Sequence, residues 1–118
     1  MIYDNLPVFK TAYDLLLLMF QTSKNLQREY RYTLGENVKN ELVKLLVCIY
    51  NANSNPDKIP HLAEAQQHIV VIKLQVRLLS DLKQIPLKQY AAIVEQIASI
   101  SKQLSSWVKY LAKKESNK

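Results

Sequence analysis

Between residues 62 and 79 the apolar side chains Leu62, Ala65, Ile69, Ile72, Val76 and Leu79 follow one another at steps of three or four. Only a helix of about 3.6 residues per turn gathers such a series on one side, so this stretch is constrained to be an amphipathic helix. The same rhythm governs the rest of the chain. Phe9, Tyr13, Leu16 and Phe20 carry it first, then Val38, Leu42, Leu45 and Ile49, and last Tyr90, Ile93, Ile97, Ile100, Leu104, Trp107 and Leu111. No strand-like alternation competes with it. The spacing predicts helices over about 7–30, 34–52, 58–84 and 86–113, packed as an all-α, up-down-up-down antiparallel four-helix bundle in one domain spanning 1–118, with a short basic tail.

Local signals mark the boundaries. Pro7 suits a first helical turn, where its missing N–H costs nothing, and Asn5 is a candidate cap before it. Thr33 followed by Glu36 reads as a capping box for the second helix. Asn51 to Pro60 is rich in turn formers and forms the one real linker, while Pro86 closes the third helix and opens the fourth.

Some helices carry more apolar surface than one core face needs. Leu15, Leu16, Leu17, Leu18, Met19 and Phe20 are consecutive, as are Leu45, Leu46, Val47, Cys48, Ile49 and Tyr50. Six residues in a row sweep all the way round a helix. A second buried face, and hence a homo-oligomer, is expected. Six residues fall far short of the roughly 20 that cross a bilayer, and Met1-Ile2-Tyr3-Asp4 has no basic leader, so a cytoplasmic protein without membrane contact is expected.

Catalytic chemistry finds little to work with. One glycine, Gly35, excludes phosphate loops and dinucleotide folds built on several. One cysteine, Cys48, excludes an internal disulfide, and no Cys-based zinc site is expected. Cys48 stands in an apolar run with no neighbouring histidine in sequence and reads as a packed, inert thiol. Glu64 and His68 are four apart and can share a face, but one such pair does not make a di-metal bundle site, so His61 and His68 read as structural or surface residues. No pair of carboxylates is spaced for acid–base work. No enzyme activity, metal or cofactor is expected. Trp107 reads as core.

Charge points elsewhere. Sixteen Lys and Arg against ten Asp and Glu give a net charge of +6, which favours an anionic partner. Lys73 and Arg77 are four apart on one helix face, where like charges repel unless an anion joins them. In an up-down-up-down bundle the ends of the first and third helices lie side by side, so Lys24, Arg28, Arg31, Arg77, Lys83 and Lys88 are expected to share one end. No base-reading motif occurs, so nucleic-acid contact is expected to run through phosphates.

Two passages carry a family resemblance. Ile72-Lys73-Leu74-Gln75-Val76-Arg77-Leu78-Leu79 resembles the basic–apolar–x–apolar–Arg segment of the accessory variability determinant proteins of diversity-generating retroelements. Leu104-Ser105-Ser106-Trp107-Val108 resembles that family's Leu-Gly-x-Trp-apolar segment. Lys73 stands where arginine is common, so the two-pronged phosphate grip of a guanidinium is missing there, and Ser105 stands where glycine is frequent. The resemblance implies a basic four-helix bundle that assembles into a homopentamer, binds the element's reverse transcriptase and its template RNA or cDNA, and has no catalytic site of its own. It assigns the central contact to Lys73 and Arg77, and Arg28, Arg31, Lys83 and Lys88 are expected to support that contact from the same bundle end. The related bundle proteins encoded in intervening sequences of ribosomal RNA genes are the alternative: an interaction protein with no retroelement role.

Overall fold

The computed structural model describes residues 6–116. Four long helices, α1 (Pro7–Ser23), α3 (Leu34–Ser54), α4 (Ile59–Asp81) and α5 (Leu87–Ser116), are accompanied by a single helical turn, α2 (Arg28–Arg31). None of the described residues is in a strand. The helices pack in a ring, α1 on α3, α3 on α4, α4 on α5 and α5 back on α1.

Direction follows from the side-chain bridges. Gln89 Nε2 donates to Thr22 Oγ1 at 2.7 Å and Gln103 Nε2 to Thr11 Oγ1 at 3.2 Å. Advancing along α5 therefore means retreating along α1. Glu41 meets His68 while Cys48 meets Glu64, so α3 and α4 also run in opposite senses. The five residues from 82 to 86 leave α5 no choice but to return along α4. The chain thus runs up, down, up and down.

In α3 and α4 the core is the set of residues that the three-and-four spacing selects, and in α5 it is Ile93 to Leu104 of that set. In α1 the buried face lies one residue earlier than expected: Val8, Ala12, Leu15 and Met19 are buried, while Tyr13 and Phe20 are about half exposed and Phe9 and Leu16 only partly covered. Leu15 and Met19 from α1, Leu42, Leu45 and Ile49 from α3, Leu62, Ile72 and Leu79 from α4, and Ile93, Ile100 and Leu104 from α5 have no measurable exposure. Burying each such side chain is worth about 1.5–3 kcal/mol. Trp107, expected in the core, is only half-buried, and lies with Leu6, Pro7 and Val8 along a surface groove between α1 and α5.

The first helix stops earlier than its spacing suggests. After Ser23 the chain turns, with Asn25 N–H bonded to Thr22 O at 3.1 Å and Leu26 N–H to Ser23 O at 3.2 Å. The turn drives Leu26 into the core at 1% exposure. A three-residue step from Ser23 to Leu26 looks the same in sequence whether the next turn is helical or doubles back, so the stretch expected as one helix is α1, a turn and α2. Thr33 does precede α3, but its hydroxyl donates back to Glu29 O at 2.6 Å and makes no capping bond to α3. Glu36 instead pairs with Lys39 at 2.9 Å. Asn5 lies outside the described residues.

Both ends of the α3–α4 hairpin are held by specific groups. Lys58 Nζ donates to Ala52 O, Asn53 O and Asn55 O at 2.8, 3.2 and 2.8 Å, satisfying carbonyls that a helix C-terminus leaves open. At the other end of α4, Lys83 N–H bonds Ser80 O and Gln84 N–H bonds Leu79 O, both at 2.9 Å. This is the Schellman pattern, and Lys83 occupies its left-handed position with φ 61°.

Candidate functional site

The bundle end formed by the C-termini of α1 and α4 and the start of α5 collects cationic residues. The contact that fixes it is Gln27 N–H to Gln84 Oε1 at 2.9 Å, which ties the α1–α2 turn to the α4–α5 loop. Arg28, on α2, is exposed. Lys83, in the loop, and Lys88, in the first turn of α5, are exposed as well. Arg31 is turned inward. Its Nη2 donates to Lys24 O and Leu26 O, each at 3.1 Å, so part of its guanidinium closes the turn that carries Arg28.

Lys73 and Arg77 stand further along α4, both exposed. They share a face, as four-residue spacing requires. Arg77 Nε lies 3.6 Å from Asp81, and both side chains are well exposed, so the pair holds the guanidinium loosely and is worth little. Exposed Leu74 and Leu78 lie on the same helix, each one residue beyond a basic one. The surface is therefore apolar as well as basic.

The expected second apolar surface is visible on α1 and α3. Leu17, Phe20, Val43, Val47 and Tyr50 are about half exposed. Phe9 stacks on Tyr13 with ring centres 6.4 Å apart, and Phe9, Val43, Leu46, Val47 and Tyr50 line a shallow groove. Lys39 Nζ sits 4.6 Å from the centre of the Phe20 ring, covering part of that face with charge.

One constellation escapes sequence reasoning. His68 Nδ1 lies 2.7 Å from Glu41 Oε2, and Cys48, Glu64 and His68 bring one donor atom each to within 4.8 Å of one another. The histidine absent from the sequence neighbourhood of Cys48 is supplied by α4. Burial pushes the Cys48 thiol up to about 11, helped by the charge of Glu64 and by a hydrogen bond to its carboxylate. The thiol is a poor nucleophile in this setting, as expected. The only sequence sign of the cluster is that Glu41 and Cys48 are seven apart, as Glu64 and His68 are four apart. Each pair can face one seam, but nothing in the spacing says that the seams meet.

None of the described helices is long and apolar enough to cross a membrane. What the fold and surface define is a basic four-helix bundle with apolar side chains left on its outside. The class narrows on comparison with known families: the model of the bAvd-like family matches residues 8–111, and the chain belongs to that family. No curated relative matches it.

Proposed function

We propose that this protein is the non-catalytic accessory protein of a diversity-generating retroelement, binding the reverse transcriptase and the template RNA or its cDNA during mutagenic retrohoming. The observation that carries this proposal is membership of the bAvd-like family over residues 8–111. Lys73 and Arg77 make the central contact. Arg28, Lys83 and Lys88 extend it toward the bundle end, and Arg31 adds charge behind them while it holds the α1–α2 turn.

Homopentameric assembly fits this role. The uncovered side chains of α1 and α3 suit burial against another copy, and repetition of a weak basic patch raises its effective affinity by avidity. Binding dominated by phosphate contacts is salt-dependent and tolerant of sequence. The decisive variant is the double substitution Lys73→Glu with Arg77→Glu. Retention of RNA and of reverse transcriptase on the protein should be lost, with helicity by circular dichroism and mass by light scattering unchanged. Undiminished retention would refute the assignment of the contact and favour a bundle that serves protein interaction alone. A collapse of helicity would show the pair to be structural.

A further inference from the structure

We propose that Cys48, Glu64 and His68 form a binding site for a borderline transition-metal dication of the zinc class, with Glu41 as the outer carboxylate that positions His68. The four residues face one another across the α3–α4 seam. Glu41 and Cys48 sit two turns apart on α3, and Glu64 and His68 one turn apart on α4. One sulfur, one imidazole nitrogen and one carboxylate oxygen come within 4.8 Å of one another.

The donor set selects the ion. Calcium and magnesium ask for oxygen alone, and copper(I) prefers several sulfurs. Sulfur, nitrogen and carboxylate oxygen together suit zinc, cobalt(II) and their neighbours. Metal–sulfur bonds of about 2.3 Å and metal–nitrogen bonds of about 2.0–2.1 Å put tetrahedral donors roughly 3.3–3.7 Å apart. The three groups need to close by about an ångström. Glu64 can supply most of that movement, because its side chain is exposed. Three protein ligands leave a fourth position for water on the exposed Glu64 side.

His68 is already oriented for the task. An ionised carboxylate only accepts hydrogen bonds, so the neutral imidazole carries its proton on Nδ1, pointing at Glu41 Oε2 2.7 Å away. That leaves the lone pair on Nε2, which faces Glu64 Oε1 at 4.0 Å. A carboxylate behind a histidine, fixing its tautomer and ring plane, is the arrangement found around bound zinc. Charge also balances. Lys44 lies 3.5 Å from Glu41 and offsets it, while a dication offsets the Cys48 thiolate and Glu64. On binding, the Cys48 sulfur gives up its proton to solvent as the metal–sulfur bond forms.

The test is a cobalt(II) titration of the whole purified chain after chelator treatment. One equivalent should produce intense visible bands of tetrahedral cobalt and a near-ultraviolet band from thiolate-to-cobalt charge transfer, and zinc should erase both. Cys48→Ser should remove the near-ultraviolet band. Glu41→Gln keeps all three donors, so it should retain the bands but weaken affinity by about 10–100-fold, as loss of an outer carboxylate does elsewhere. A native protein that leaves cobalt with the pale spectrum of the hydrated ion overturns the proposal. So does a near-ultraviolet band that persists in Cys48→Ser, or an affinity indifferent to Glu41→Gln.

Discussion

Lys83 offers a test in which stability and binding should move in opposite directions. It holds φ 61° at the position where a Schellman motif usually places glycine. A residue with a Cβ pays roughly 1–2 kcal/mol for the left-handed conformation. Glycine is free of that cost but loses about 0.4–1 kcal/mol through the greater freedom of its unfolded chain. Lys83→Gly should therefore gain about 0.5–1 kcal/mol, which for a chain of this length raises Tm by about 2–5 °C. Lys83→Ala keeps the Cβ and removes the same charge, so it should gain nothing. Both variants should bind RNA less tightly and lower the slope of log affinity against log salt by up to about one. Differential scanning calorimetry and a salt series with one RNA measure the two effects. A Gly variant no more stable than the Ala variant would refute the strained corner, and an unchanged salt slope would remove Lys83 from the proposed contact.

Gly35 and Cys48 give two more tests. A Cβ on Gly35 would stand 2.9 Å from Leu26 Cδ1 and 3.1 Å from Tyr30 O, so Gly35→Ala should lose about 1 kcal/mol to overpacking despite alanine's better helix propensity. The urea midpoint should fall, and a rise would mean that the corner of α1, α2 and α3 is roomier than described. In metal-free protein the folded Cys48 thiol holds its proton up to about 11, against an ordinary value of 9.0. The unfolded chain releases that proton first as pH rises, so the stabilisation is whole below pH 9 and is lost toward pH 11. Across that window native protein should lose stability relative to Cys48→Ala, and a constant difference in urea midpoint would refute the shift.

Much of the bundle is legible because one period governs it. The core positions of α4 were all marked by spacing, and a ring of antiparallel helices is what short connections between such segments permit. The missed features share a different cause. The end of α1 depends on Leu26 finding a hole beside Gly35, which spacing along α1 does not encode. Thr33 and Glu36 had the right separation for reciprocal capping, but Glu29 O and Lys39 offered nearer partners. Trp107 kept the period and still reached only the rim, since the N-terminal end of α1 does not cover it. The Glu41–His68 contact joins residues 27 positions apart and needed the fold to reveal it. Of the basic residues expected together, Arg28, Lys83 and Lys88 stand exposed near the joined α1–α2 turn and α4–α5 loop, while Lys73 and Arg77 stand further along α4. Arg31 was the one whose side chain turned to the chain's own carbonyls.

The lysine tripod at the far end of the α3–α4 hairpin has a consequence for anyone who rebuilds this protein. Asn55 to Lys58 look like an easy place to open the chain, since the segment is short and rich in turn formers. Yet the ammonium of Lys58 gathers three carbonyls from the last turn of α3 and the residues just after it. New termini or an inserted domain at this corner would pull that ammonium away and leave α3 with its end undone. A permuted or split version should keep the corner whole and make its cut elsewhere.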